Sequence, residues 1–505
     1  MSMRSSRSDR RKFLRASALA TAGIAGGMGL RPVPIGARLQ QARPASRGQA
    51  TKSISRQFAD WVVSLRYEDM PAAVIDRAKG LTLQNLASAL LGSQTAPAKQ
   101  AMAFVAEEEA GVRNGGTIMV SGAKVTKGGA AFANAEMMYA GGKWDTFRML
   151  THPGTAIIPA ALVATENAQV PGRTFITAVA AGYEVMERMA ADWIPTVMAR
   201  GFHAGPVFSL FGAAIAAAKI MGFDADQVHA VISLCTNLAG SNLESRALRE
   251  GAAVRNAMLA VALAKHGRVG GGEAVLEGPA GFYHAFAGNN TGELTYSFTG
   301  EDHTSLDRLT VDLGTSWMFL ETLYRIYSIP GYNIAHIDVT ARLCEEHNIR
   351  YQDVDRVEAV VNWMETQYPS PAFPTQREDI GEPRRGGTRF YSAYGVVKRG
   401  FPMLPGTPDP PEVLELMKRV TIIPSHQMTL FGPRITVFTK DGKSYTRQAT
   451  GREFIWDFDE EVRRIRPVAP GLPIPSTQFE RLIATCRNLD SQPSAASLVG
   501  LTLAG

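Results

Sequence analysis

The stretch from about residue 53 to 290 most constrains what this chain can fold into. Apolar residues recur there at helical spacing in one segment after another, and no strand-like alternation of any length interrupts them. Ile54, Phe58, Trp61, Val62 and Leu65 mark one apolar face. Pro71 opens a second helix that stops at Gly92, with proline near the start and glycine at the end. Ala-rich segments follow over 153–168, 172–199, 205–221, 225–239 and 251–267. Several are apolar nearly all round, as buried members of a multi-helix core must be. A doubly wound parallel sheet is excluded, because its strands would have to lie in this stretch.

The pattern changes after about residue 320. Val354 to Trp363 and Pro433 to Thr439 are rich in β-branched and aromatic residues, and Asp441-Gly442 supplies a hairpin turn. Helical patches over 334–346, 388–399 and 411–418 lie between them, and a last helix is predicted near 476–488. Pro- and Gly-rich loops over 366–387 and 401–411 are placed to form part of a mouth. The fold class is therefore mainly α with an α+β second domain. At 505 residues, 45% of them hydrophobic, the chain is long enough to bury such a core.

The formal charge of +6 invites a nucleic-acid reading, but its location removes it. Arg4, Arg7, Arg10, Arg11, Lys12, Arg15, Arg31 and Arg38 stand against Asp9 alone, so the leader holds more than the whole surplus. A nearly neutral body exerts no general pull on polyanions. Arg10-Arg11 followed by Phe13-Leu14, with an Ala/Gly-rich run from Ala16 to Leu30, reads as a twin-arginine export signal over residues 1–45 including its linker. The run is short for a membrane span, which suits cleavage, although an uncleaved anchor stays open. The expectation is a periplasmic or exported protein that meets the twin-arginine translocation machinery and keeps no stable membrane span after cleavage.

Cys235, Cys344 and Cys486 lie far apart in helical, apolar contexts and read as buried free thiols. Cys344 and His347 share a metal-like spacing, but a structural zinc site needs four ligands, so no metal is expected. Phosphate-binding Walker, His-Glu-x-x-His and Gly-x-Ser-x-Gly patterns are absent from the sequence. What remains is polar residues at inter-helix loops: Trp144-Asp145-Thr146 six residues before His152, then Gly201-Phe202-His203, then Arg246 to Gly251. A helix N-terminus favours anions and a loop histidine nearby can act as a base. Each also has a plain reading: Asp145 as a helix cap, His203 as a buried hydrogen-bonding histidine, Arg249 as a surface charge.

The order of these pieces resembles the MmgE/PrpD family, which includes 2-methylcitrate dehydratase, cis-aconitate decarboxylase and some epimerases. The resemblance runs from about 53 to 488. It rests on Asp145-Thr146 before His152-Pro153, Ala181-Gly182-Tyr183-Glu184-Val185, Gly201-Phe202-His203, Met221-Gly222-Phe223-Asp224 and Val275-Leu276-Glu277-Gly278-Pro279 in that order. It implies a helical domain over 50–322, an α+β lid over 323–455, and a segment over 456–505 that rejoins the helical domain. It further implies a homodimer and cofactor-free lyase or isomerase chemistry on a small di- or tricarboxylate. By position, Thr146 and His152 match substrate-contacting residues with Asp145 beside them, His203 matches a second catalytic histidine, Tyr394 matches the lid tyrosine, and Arg246 and Arg325 stand where the family has lysines. The expectation is that Asp145, His152, His203 and Tyr394 are catalytic and that Thr146, Arg246, Arg249 and Arg325 bind the substrate.

Four departures accompany the resemblance. The family's leading aspartate, in Asp-x-Asp-Asp-Thr, is Gly142, and its two lysines are Arg246 and Arg325. His336 is displaced from the family histidine. Arginine keeps a positive charge for anions but holds its proton too firmly to serve as an acid. A second function therefore stays open: an exported carboxylate-binding protein that has lost catalytic activity.

Overall fold

The computed structural model describes residues 52–245, 247–327, 329–401 and 409–504. The twin-arginine segment and Arg246 lie outside the described residues. Helices come first: α1 (Ile54–Ser64), α2 (Ala72–Gly92), α3 (Ala96–Glu108), α4 (Lys127–Gly141), α5 (Gly154–Ala168), α6 (Gly172–Ala190), α7 (Ile194–Ala199), α8 (Ala204–Ile220), α9 (Ala225–Leu238), α10 (Arg249–Lys265) and α11 (Phe282–Ala287). Helix α8 is buried at every position except Lys219, which explains its all-round apolar sequence. It packs against α5, α6 and α10. Gly182 and Gly212 make the α6–α8 approach possible, since a Cβ on either would sit 2.6–2.8 Å from the other's carbonyl oxygen.

The segment expected as one helix over 172–199 breaks at 191–193. Pro195 sits in the first turn of α7, where its missing N–H costs nothing, so it starts a new helix rather than continuing the old one. Two very short ladders also interrupt the helices, correcting the all-helical expectation. β1 (Gly116–Thr117) pairs with β2 (Lys124–Val125), and β3 (Trp144–Thr146) pairs antiparallel with β4 (Leu323–Arg325). The second joins the loop before His152 to a strand 180 residues away.

Beyond β4 come α12 (Gly331–Glu346), β5 (Val354–Asn362), β6 (Gln367–Tyr368), β7 (Gln376–Arg377), α13 (Thr388–Lys398), α14 (Pro411–Leu416), β8 (Val420–Ser425), β9 (Arg434–Thr439) and β10 (Ser444–Gln448). The four-stranded sheet has the order β10-β9-β5-β8, with β5 and β8 parallel and the other pairs antiparallel. Gly442, at φ +84°, turns the β9–β10 hairpin. Helix α12 packs on β9 and β10, α13 packs on β8, and the two helices pack on each other.

The chain closes with α15 (Phe458–Ile465), α16 (Ser476–Arg487) and α17 (Ser497–Gly500). Helices α15 and α16 pack on α2, bringing the C-terminal segment back to the helical region. Residues 52–505 group as one compact unit. Among the described residues no helix is long and apolar enough to cross a membrane.

Candidate active site

Helix α4 ends where Gly142 takes φ +70°, the left-handed cap conformation that glycine adopts without a steric penalty. The reversal delivers Trp144, whose Nε1 donates to the Tyr139 carbonyl at 2.8 Å and so satisfies a terminal carbonyl of α4. Its indole stacks on Tyr139 with centroids 4.6 Å apart. The β3–β4 register places Arg325 opposite Trp144, with the guanidinium 4.7 Å from an indole centroid. Arg325 Nε donates to the Ile329 carbonyl at 2.9 Å.

Asp145 is fully buried, and its Oδ2 accepts from the Gly154 N–H at 2.9 Å and from the Tyr183 hydroxyl at 2.6 Å. It therefore caps α5 from a distance and ties that helix to α6. Burial raises its carboxyl to about 6, against the pull of those hydrogen bonds. The cap reading of Asp145 is the one this geometry carries.

His152 Nδ1 lies 2.9 Å from the Asp145 carbonyl oxygen. A carbonyl only accepts, so Nδ1 carries the proton and Nε2 keeps the lone pair. Thr146 Oγ1 lies 3.4 Å from the same Nδ1, and Trp144 covers the ring at 4.5 Å. Burial pushes the imidazole well below its ordinary value, and the charges of Arg325, His203 and Arg249 act in the same direction. His152 is accordingly neutral at pH 7 and able to accept a proton.

His203 stands at the head of α8, its backbone N–H donating to the Ser241 carbonyl at 3.0 Å. Burial first and Arg249 second push it down to about 3. Its Nδ1 has no hydrogen-bond partner among the described residues. Arg249 is the first residue of α10; its Nε donates to the Ser245 carbonyl at 3.2 Å and its Nη1 to the Tyr139 hydroxyl at 3.4 Å. Tyr139 thereby links Arg249 to Trp144 and its neighbours His152 and Arg325. Among the described residues neither Arg249 nor Arg325 forms an ion pair with a carboxylate. Two cations, Arg325 buried and Arg249 half-exposed, form a receptive place for a carboxylate ligand.

The roof comes from the β-containing region. Burial draws the Arg325 guanidinium down to about 10, while Tyr139, Tyr368, Tyr332 and Tyr391 act the other way. The Tyr332 hydroxyl donates to Gln376 Oε1 at 3.2 Å, and its ring lies 6.0 Å from Tyr368. Gly331 opens α12 directly over Thr146 and Arg325, where a Cβ would lie 3.8 and 3.9 Å from their side chains. Tyr394, the tyrosine chosen by resemblance, is only partly buried and its hydroxyl feels Asp409. Tyr391, one turn earlier on α13, is the one that feels Arg325.

Sequence reasoning also missed Lys143, a partly buried lysine whose ammonium is lowered by burial and then by Arg325. Its signal was position alone, between Gly142 and Trp144. His336 is a buried packing residue: Ser392 donates to the Thr388 carbonyl, so His336 Nδ1 donates to Ser392 Oγ at 2.8 Å. Among the described residues no three His, Cys, Asp or Glu side chains gather as metal ligands. Cys344 is buried, and His347 stacks on Tyr445 at 4.5 Å.

Comparison with known proteins adds independent support. Residues 56–295 match the MmgE/PrpD N-terminal domain. The chain is 24% identical over 488 residues to the cis-aconitate decarboxylase-like protein oryM of Aspergillus oryzae, covering 89% of this chain and 97% of that protein. It is 24% identical over 305 residues to the cis-aconitate decarboxylase of Aspergillus terreus, spanning 57% of this chain and 60% of that one. The same identity extends over 289 residues of the cis-aconitate decarboxylase of Homo sapiens, 53% of this chain and 58% of the human protein. Together these likenesses support a relationship to the MmgE/PrpD family, through the match of residues 56–295 to its N-terminal domain.

Proposed function

We propose that this chain is a lyase or isomerase of MmgE/PrpD type that binds a small di- or tricarboxylate and moves a proton beside one of its carboxylates. The observation that carries the reading is the nearness of two neutral imidazoles to two guanidiniums that have no carboxylate partner among the described residues. Arg325 and Arg249 grip the carboxylates through charge-assisted hydrogen bonds, and Lys143 adds positive charge near Arg325. His152 accepts a proton at Nε2 while the Asp145 carbonyl holds Nδ1–H. Positive charge on both sides steadies the carbanion-like electron pair as the C–H bond breaks. His203 serves as the second proton-transfer group, returning a proton to carbon or to the departing hydroxyl. The chain's own acids and bases carry every step.

The cis-aconitate decarboxylase names of the relatives favour decarboxylation among the family's reactions: there a C–C bond breaks, carbon dioxide leaves, and His203 delivers a proton to carbon, whereas dehydration and epimerisation start with His152 taking a proton from carbon. We assign the 50–322 segment to a helical domain and 323–455 to a lid, with 456–505 returning to the former. Two copies are proposed to associate through α10, whose outward Leu259 and Leu263 are 47% and 38% exposed. The leader assigns the working protein to the periplasm or beyond.

The test is incubation of the purified mature protein with cis-aconitate, citrate, methylcitrate and succinate in heavy water, followed by proton NMR. Product formation or deuterium uptake beside a carboxylate, lost in the His152→Ala/His203→Ala double variant, is expected. Stabilisation by these compounds without turnover or exchange would instead favour the carboxylate-binding protein.

A further inference from the structure

Glu250 has no part in the chemistry above, yet it is placed against it. It is the second residue of α10 and 1% exposed, and neither of its carboxylate oxygens has a hydrogen-bond partner among the described residues. A carboxylate at a helix N-terminus is ordinary, but one stripped of water and partners is not. A Cβ built on Gly205 would lie 2.8 Å from Glu250 Oε1, 2.9 Å from the Leu150 carbonyl oxygen and 3.2 Å from His203 Cε1. Gly205 therefore holds open one buried gap shared by the carboxyl and the imidazole. Cε1 is bonded to Nδ1, and that nitrogen is also without a hydrogen-bond partner among the described residues.

The charged and titratable groups around Glu250 come from four elements: Arg249 on α10, Glu136 and Tyr139 on α4, Asp145 on β3, and His203 at the head of α8. Burial, aided by Glu136 and Asp145, outweighs Arg249 and raises the carboxyl to about 7. Its carboxyl is thus drawn toward the protonated form near neutral pH, beside an imidazole held neutral. The two unpartnered groups are chemically complementary, since a protonated carboxyl donates an O–H and a ring nitrogen with a lone pair accepts one.

We propose that Glu250 is a positioning and proton-holding residue behind His203, lending its carboxyl proton to Nδ1, directly or through one water, as Nε2–H gives its proton to the substrate. The proposal rests on the reading of His203 as a proton-transfer group. In the step, the Glu250 O–H and the His203 Nε2–H bonds break while Nδ1–H and a substrate C–H form. No electrons change owner. For a decarboxylation this supplies the one proton consumed when the electron pair of the broken C–C bond stays on carbon; the pair resets when Nδ1–H returns its proton to the Glu250 carboxylate and Nε2 takes one proton from solvent. Activity limited by this step falls as pH rises through about 7, where Glu250 ionises.

The full mature chain is tested as wild type, Glu250→Gln and His203→Ala, with cis-aconitate as the probe. Glu250→Gln is expected to fold, to lower kcat about ten- to hundredfold with KM changed less than about threefold, and to lose the decline above neutral pH. Substrate-free infrared difference spectra provide a second readout, in which a buried carboxylic acid band titrates near neutral pH in wild type and is missing in Glu250→Gln. If His203→Ala abolishes turnover while Glu250→Gln keeps wild-type kcat and pH profile, the proposal fails and the function stands. If His203→Ala retains full turnover, both fail. Absence of a Glu250-dependent carboxylic acid band at any pH from 5 to 8 also overturns the proposal.

Discussion

The floor and the roof of the candidate site are built by opposite means. On the floor, formed by the helical region, each reactive group is pinned by backbone. His152 is fixed by the Asp145 carbonyl, His203 by its place at the head of α8, and Asp145 by the first N–H of α5. Burial strips charge from both imidazoles there. The roof supplies Arg325, whose positive charge survives burial, within a ring of tyrosine hydroxyls. The contrast separates much of the labour: neutral imidazoles below with Arg249 at their edge, and the buried charge of Arg325 with tyrosine hydroxyls above. A small anion completes the arrangement by answering the roof's charge against the floor's lone pairs.

The sharpest way to break this division is at the floor. His152→Ala is expected to lower kcat by about 10²- to 10⁴-fold in a steady-state turnover assay, with little change in melting temperature. If kcat holds, the base lies elsewhere.

Asp145 offers the next largest effect, on stability. Asp145→Ala strands the Tyr183 hydroxyl and the Gly154 N–H in the core, and denaturant unfolding is expected to show a loss of about 2–4 kcal/mol. Asp145→Asn keeps an acceptor and is expected to lose less. A variant that unfolds like wild type but is inactive would move Asp145 from cap to catalyst.

At the roof, Arg325→Met is expected to raise KM about ten- to hundredfold, the worth of a charge-assisted contact. It also removes a positive neighbour that holds His152 down. The imidazole must then titrate higher, so the acid limb of the kcat/KM profile moves to higher pH. An unshifted limb would separate Arg325 from His152. The smallest effect distinguishes the two lid tyrosines: Tyr391→Phe is expected to cost about 1 kcal/mol, or roughly fivefold in kcat/KM, and Tyr394→Phe less than twofold.

Much of the floor was legible in the sequence because helices α1 to α10 carry their apolar faces in local spacing, and His152 and His203 sit at the loops between them. The roof was less so. β3 and β4 have three residues each, too few for alternation to register, and their pairing across 180 residues is what sets Arg325 over Trp144. Tyr332 and Tyr368 reach the site through that tertiary closure and have no local signal. Helix α15 did announce itself, with Asp457 as cap, acidic residues in its first turn and Arg463 and Arg464 in its last, but its short apolar pattern was passed over. Glu250 looks in sequence like any acidic residue opening a helix, and only its burial distinguishes it.

The division between floor and roof is tested most directly by a crystal structure of the His152→Ala protein soaked with cis-aconitate. The account predicts carboxylate groups within hydrogen-bond reach of Arg249 and Arg325, with the reacting carbon facing the space vacated by the His152 ring. A carboxylate bound away from both arginines, or a ligand whose reactive carbon faces neither histidine, would contradict it.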